Sequence, residues 1–359
     1  MITWVLAAAL ALSPPLPAPA VAAAPEPPRP EQVMAIPAEL HALFQQQVLS
    51  PGGTQLRRLE RLVDFMFAQT GLGMQYQHDA TYTVEQAYLT RRANCLTFTL
   101  LAVALAREAG LEAYGQEIEE TLSWRHEQNT IYRTNHVNAG IRPGHQRFTI
   151  DVAWDTLIAR EPPQRISDRR LLGLYYGNRA VELMSDNQRA AAGQYMAMAL
   201  ELDPAYAANW SNAGVLYMRN GDAEAAEQAY AKALALDRLH AAALFNIVSL
   251  YQRTGRQEQA RGYQKQLKAV REKDPFHHFL LAVQYEKTGD YRRALTHYQR
   301  AIRLHDSEHR FHFGLARAYL QLGQARQAGR ALARAHALSE GDTRGLYQAK
   351  LDRLRQQQE

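Results

Sequence analysis

The sequence predicts an α+β domain followed by an all-α solenoid. Three observations predict it. The last half of the chain repeats at a fixed interval. A charge-free helical segment precedes the repeats and carries the only cysteine. Short alternating segments follow that helix and read as strands.

The repeats come first. Gly221, Gly255, Gly289 and Gly323 stand 34 residues apart, and Ala192, Ala226, Ala260, Ala294 and Ala328 share that period. So do Tyr217, Tyr251, Tyr285 and Tyr319. Units start near Gly173, Ala207, Ala241, Pro275 and His309. Each unit reads as two amphipathic helices. Small Gly or Ala at its eighth position lets helices approach closely, and the fifteenth-position Gly suits a left-handed turn between them. The first unit departs, with Asn187 in place of that glycine. Trp210, Ala213, Gly214, Tyr217, Ala226, Tyr230 and Ala233 carry the pattern best, and it resembles the tetratricopeptide repeat. The array is placed at residues 168–340, and 341–359 is a capping helix or tail.

The region before the repeats, residues 38–167, shows helical patterns from Ala38 to Val48 and from Thr54 to Gln69. Thr83 caps a short helix from Val84 to Thr90. The cysteine helix, Cys95 to Ala109, ends at Gly110. From Leu96 to Ala106 no face carries charge, so protein should surround it. Strand patterns then occupy Glu112 to Glu119, Thr134 to Arg142 and Gln146 to Trp154.

The placement of Cys95 has chemical meaning. With Asn94 as N-cap, its sulfur lies near the positive end of the helix, which favours thiolate over thiol. A histidine is then needed beside it. In T-N-H-V-N-A-G-I, Val137, Ala139 and Ile141 alternate onto one face and His136 and Asn138 onto the other. In F-T-I-D-V-A-W, Asp151 points away from Phe148, Ile150 and Val152. A turn centred on Pro143-Gly144 pairs His136 directly with Asp151, with an odd turn or a bulge as the alternative register. Asp155, on the same side as Asp151, is the competing carboxylate. His126 and His145 read as surface loop residues, and Trp124 as packing or a wall of the site. A small buried core cysteine is the plain alternative for Cys95.

R-R-x-N-C at the helix mouth, N-H-V-N-A-G on a strand and F-T-I-D on the next resemble the transglutaminase-like (papain-like) cysteine-enzyme superfamily over Ala38 to Asp155. The resemblance implies Cys95 as nucleophile, His136 as general base and acid, and Asp151 as the orienting carboxylate. It implies thioester acyl transfer, as protease, amidase or transamidase, with no metal or organic cofactor. This sequence departs from the family around the cysteine, where Ala93-Asn94 and Leu96 replace an aromatic and a glycine. The rival from another class is an inactive domain joined to a protein-protein interaction scaffold.

The first helix of each unit should line the concave face. Asn178, Asn212 and Asn246 fall in register there, as an amide ladder for a peptide backbone. Phe245, Phe279 and Phe313 fall one position earlier in later units, as apolar pockets or as helix packing. Arg219, Arg253 and Lys287 form a basic row. The expected partner is a polypeptide substrate or partner protein. His305, His309 and His312 straddle a unit boundary, so a metal is not expected there.

Composition bounds the rest. The chain is 47% hydrophobic and 21% charged with net charge +5, and no basic stripe with interleaved aromatics points to nucleic acid. Val5 to Leu12 suits the apolar core of a secretion signal and is too short to span a bilayer, although no Lys or Arg precedes it. Residues 1–24 are read as a signal peptide and 25–37 as a Pro/Ala-rich linker. The expected location is periplasmic or secreted, with no membrane span in the mature chain.

Overall fold

A computed structural model describes residues 26–118, 136–152, 163–339 and 341–356. The signal-peptide segment lies outside the described residues. So do His126, Trp124 and Asp155.

The N-terminal region begins with helices α1 (Pro30–Val33), α2 (Ala38–Phe44) and α3 (Gln55–Phe67). A π-helical turn, Gln45–Leu49, extends α2. Strand β1 (Gln75–Tyr76) pairs in parallel with β2 (Arg92–Ala93), and α4 (Val84–Thr90) lies between them. Thr83 and Gln86 cap α4 reciprocally, at 3.2 and 3.0 Å. Helix α5 (Cys95–Glu108) follows. Every residue from Leu96 to Ala106 is buried, as the absence of charge required.

Four strands form an antiparallel sheet: β3 (Glu112–Ile118), β4 (His136–Arg142), β5 (Phe148–Ile150) and β6 (Gln164–Arg165), of which β3 and β4 pack on α5. Their order is β5-β4-β3-β6. Alternation puts Val137, Ala139 and Ile141 into the hydrophobic core with α5, and leaves His136 and Asn138 on the opposite face. Both of those are nonetheless buried.

The repeats are five helix pairs: α6 (Asp168–Ser185) with α7 (Arg189–Leu202), α8 (Ala207–Arg219) with α9 (Ala223–Leu236), α10 (Ala241–Arg253) with α11 (Gln257–Glu272), α12 (Pro275–Lys287) with α13 (Tyr291–Leu304), and α14 (His309–Gln321) with α15 (Ala325–Leu338). Helix α16 (Gly341–Gln356) covers the end. Gly221, Gly255, Gly289 and Gly323 take φ of 83, 75, 77 and 71° at the turns, and Asn187 takes 59° at the equivalent place. Asparagine tolerates that left-handed region better than other side chains, which explains the departure in the first unit. At Gly214 an added Cβ would overlap the Tyr230 ring, so this small eighth residue does set the helix approach; at Gly314, a sixth position, it would overlap the Tyr298 ring.

Two features depart from a uniform array. First, α6 is buried in the same hydrophobic cluster as α5 and the sheet, through Leu171, Tyr175 and Tyr176. Ion pairs reinforce this junction: Arg107 holds Asp168 through two bonds of 2.8 Å, and Arg170 bridges Glu117 and Asp203 at 3.2 and 2.6 Å. Second, the apolar core of the array is interrupted. One cluster ends on α11 at Leu267 and Val270, the next begins on α12 at Phe279 and Ala282, and they share no residue. Among the described residues no helix is long and apolar enough to cross a membrane.

Candidate active site

Asn94 caps α5: its side-chain oxygen accepts the Thr97 backbone N–H at 2.9 Å. Its amide nitrogen donates to the Thr81 hydroxyl oxygen at 2.8 Å. Thr97 donates its hydroxyl to the Ala80 carbonyl and accepts from the Tyr82 N–H, both at 2.8 Å. The segment from Ala80 to Tyr82 is thereby strapped across the helix mouth. Cys95 is the first residue of the helix and half-buried. Asn94→Ala should therefore lose the cap and the bond to Thr81, and lower stability by about 1–2 kcal/mol. Urea unfolding measures this, and a change within error would mean that the cap is not needed.

His136 opens β4 with only 4% of its surface exposed. Its Nε2 lies 2.8 and 2.7 Å from the two oxygens of Asp151. The Cys95 thiol also acts on the ring and raises its basicity. The carboxylate takes Nε2, so Nδ1 is the nitrogen that Asp151 leaves open. The three side chains thus form one chain of contacts from helix mouth to sheet.

The register differs from the expectation. The pairs are Ala139 with Ile150, Gly140 with Thr149 and Ile141 with Phe148. Continued by one residue, this places Asn138, not His136, directly across from Asp151. The turn is centred between Gly144 and His145, one residue later than expected, and Gly144 takes φ of 62° in it. A one-residue displacement of the centre moves the pairing by two, and a shift of two keeps every side chain on its own face. His136 becomes the diagonal neighbour of Asp151, still within reach of an imidazole. His145 is exposed in this turn.

Asn138 enters the site as a consequence, and the sequence reading had placed it on the correct face without giving it a role. Its amide nitrogen donates to Asp151 Oδ2 at 3.0 Å. The residue is 3% exposed, and among the described residues its side-chain oxygen has no hydrogen-bond partner. Asp151 is held from two sides, by imidazole and by amide.

The electrostatics follow from these contacts. Burial by itself lowers the basicity of His136. The hydrogen bond to Asp151, then the bond to Cys95 and the charges of both partners, outweigh it and raise the pKa to about 9. The imidazole is therefore a cation at neutral pH. Among the described residues no cluster of three or more His, Cys, Asp or Glu side chains could hold a metal ion. His305 caps the end of α13 and His309 opens α14, so they do not share a helix.

On the repeats, Asn178 is exposed and Asn212 and Asn246 are half-buried. None of the three side chains hydrogen-bonds to another described residue. The phenylalanine row divides. Phe245 is 49% exposed. Phe279 packs against Tyr298 and Phe311, with ring centroids 5.6 and 5.1 Å away. Phe313 stacks on Tyr347 of α16 at 4.8 Å. Phe279 and Phe313 are thus engaged in helix packing rather than lining open pockets. In the basic row, Arg219 is committed to the Met184 carbonyl at 2.6 Å.

Residues 211–277 and 279–343 match the model of the tetratricopeptide repeat family. The second half of the chain therefore carries tetratricopeptide repeats in a largely helical solenoid. Among solved structures, a MamA protein is 18% identical, covering 46% of this chain and 91% of its own at a TM-score of 0.27. YrrB, described as a tetratricopeptide repeat protein with an unusual peptide-binding site, is 20% identical, covering 50% and 92% at 0.27. The pilF protein of Pseudomonas aeruginosa is 17% identical, covering 52% and 94% at 0.29. No curated protein matches this chain in sequence.

Proposed function

We propose that the protein is a transglutaminase-like cysteine enzyme that performs acyl transfer on a polypeptide held by its repeats. The observation that carries this reading is the contact chain from Cys95 through His136 to Asp151. In the proposed reaction the Cys95 thiolate attacks an amide carbonyl carbon. The His136 imidazolium gives its proton to the leaving amine as the C–N bond breaks, which leaves a thioester and a neutral imidazole. Water or a second amine then attacks the thioester, His136 takes its proton, and the thiolate departs. Asp151 keeps the ring oriented and stabilises its charged form. Asn138 holds the carboxylate in turn. The backbone N–H groups at the start of α5 are suited to the oxyanion. The signal-like N-terminus supports a periplasmic or secreted location.

The repeats suit protein-protein interaction, and α6 connects them to the site. Asn178 lies one turn before Glu182, and Thr81 in the strap over the helix mouth is among the groups that act on the Glu182 carboxylate. The first rung of the amide ladder thus begins next to the wall of the cysteine site. The unpartnered amides of Asn178, Asn212 and Asn246 support backbone recognition.

The test compares two substrates. The wild type should turn over a small thioester and a polypeptide amide. Replacing Asn178, Asn212 and Asn246 together by Ala should weaken polypeptide binding about tenfold or more while sparing the small thioester. Equal loss on both substrates, or on neither, would falsify delivery by the repeats. The second reading, an inactive domain on an interaction scaffold, is favoured by the repeat-family match, and a wild type without any turnover would select it.

A further inference from the structure

The interruption between α11 and α12 leaves a cavity of about 520 Å³. Helix α10 contributes Phe245 to its wall, α11 contributes Lys268 and Arg271, α12 contributes His277 and His278, and α13 contributes His297. His278 is tied at both nitrogens: Nδ1 lies 3.2 Å from His297 Nδ1, and Nε2 lies 3.0 Å from the Glu272 carbonyl oxygen. The Arg271 guanidinium sits 5.5 Å over the Phe245 ring and has no carboxylate partner among the described residues. Lys268 reaches Glu272 only at 3.9 Å, and both are mostly exposed, so water screens that pair. Positive charge in the cleft is therefore unbalanced. Burial first, and then Arg271 and His278, hold His277 below its ordinary basicity, with Asp274 opposing.

Phe245 adjoins Asn246, the last rung of the amide ladder, so a chain lying along the ladder would continue into this cleft. We propose that the cleft binds an acidic stretch of polypeptide, with a carboxylate against Lys268 and Arg271 and an apolar neighbour on the Phe245 ring. The proposal rests on the reading that the repeats hold a polypeptide, and it adds the charge of that polypeptide at one defined place. The His277 imidazole on the facing wall offers a further N–H donor to a second carboxylate oxygen.

The experiment measures fluorescence anisotropy of a labelled peptide of alternating Glu and Leu, and of its Gln and Leu counterpart, on the full-length protein at low salt. The Glu peptide should bind about tenfold more tightly. Lys268→Gln with Arg271→Gln should bring the two peptides within about twofold, since both cations are gone. Lys268→Glu with Arg271→Glu should transfer the preference to a Lys and Leu peptide. All these variants should turn over a small thioester as the wild type does. Equal binding of the Glu and Gln peptides overturns the cleft but leaves the ladder standing if both still depend on Asn178, Asn212 and Asn246. A preference that survives the double Gln variant places the acidic site elsewhere. Absence of binding by either peptide removes the cleft and the ladder together.

Discussion

Cys95→Ala is expected to reduce acyl transfer by about 10⁴-fold or more while leaving the fold unchanged. The size of the effect follows from the mechanism. Without sulfur there is no thioester, and water must attack the amide directly with no covalent intermediate. The small structural effect follows from position. Residue 95 opens α5, and the cap and strap that fix that end belong to Asn94 and Thr97. Alanine is a good helix former and creates no clash there. Circular dichroism and thermal unfolding should match the wild type, and thioester hydrolysis should fall to background. In the wild type, iodoacetamide should label Cys95 in the native protein near pH 6. A Cys95→Ala protein that keeps a tenth or more of its activity would exclude Cys95 as the nucleophile.

His136→Gln is expected to be nearly as damaging, about 10³-fold or more, because the leaving amine loses its proton donor. This variant also has a signature in stability. The folded pKa of about 9 lies above the ordinary value of 6.5. Protonation of His136 therefore stabilises the fold. That contribution is complete below about pH 6.5 and is lost as pH rises through about 9. The wild type should melt at a lower temperature at pH 9 than at pH 6.5, by several degrees, and His136→Gln should show a smaller difference. Identical pH profiles would mean that the Asp151 and Cys95 contacts do not hold the proton. Asp151→Asn should fall between wild type and His136→Gln, since it leaves the base present but less well oriented.

How much was legible in the sequence depends on the range of the interaction involved. The 34-residue period located the helix pairs because one spacing is repeated at every turn glycine. The helix at Cys95 and its Asn94 cap were legible because capping is local chemistry. The face shared by His136 and Asp151 was legible because alternation along a strand survives any shift of two. The partner across the strand was not, since it depends on where the turn centres, and Pro143-Gly144-His145 admits more than one centre. Asn138 was missed for that reason alone. The phenylalanine row stayed open between pockets and packing because register along a repeat does not say which neighbour approaches. Phe279 meets Phe311 and Phe313 meets Tyr347, and both contacts arise from how successive helix pairs stack. The interruption at α11 did leave a local trace. The segment Gln257–Glu272 buries only Ala260 and Leu267, too little apolar surface to continue the core.

That interruption also changes where the molecule divides when it comes apart. The visible seam in the sequence is at residue 168, where strands give way to repeats. Yet α6 and α7 share side-chain packing with α5 and the sheet, and Trp210 and Tyr217 carry that packing into the next cluster. Cooperativity follows shared burial and not sequence class. The enzyme-like region and the first three helix pairs therefore form one unfolding unit, and the last two pairs with α16 form another. Opening at the α11–α12 joint exposes little apolar surface and leaves Cys95, His136 and Asp151 in place. The far end of the array can thus swing or melt on its own, as a loosely hinged arm on the body that carries Cys95.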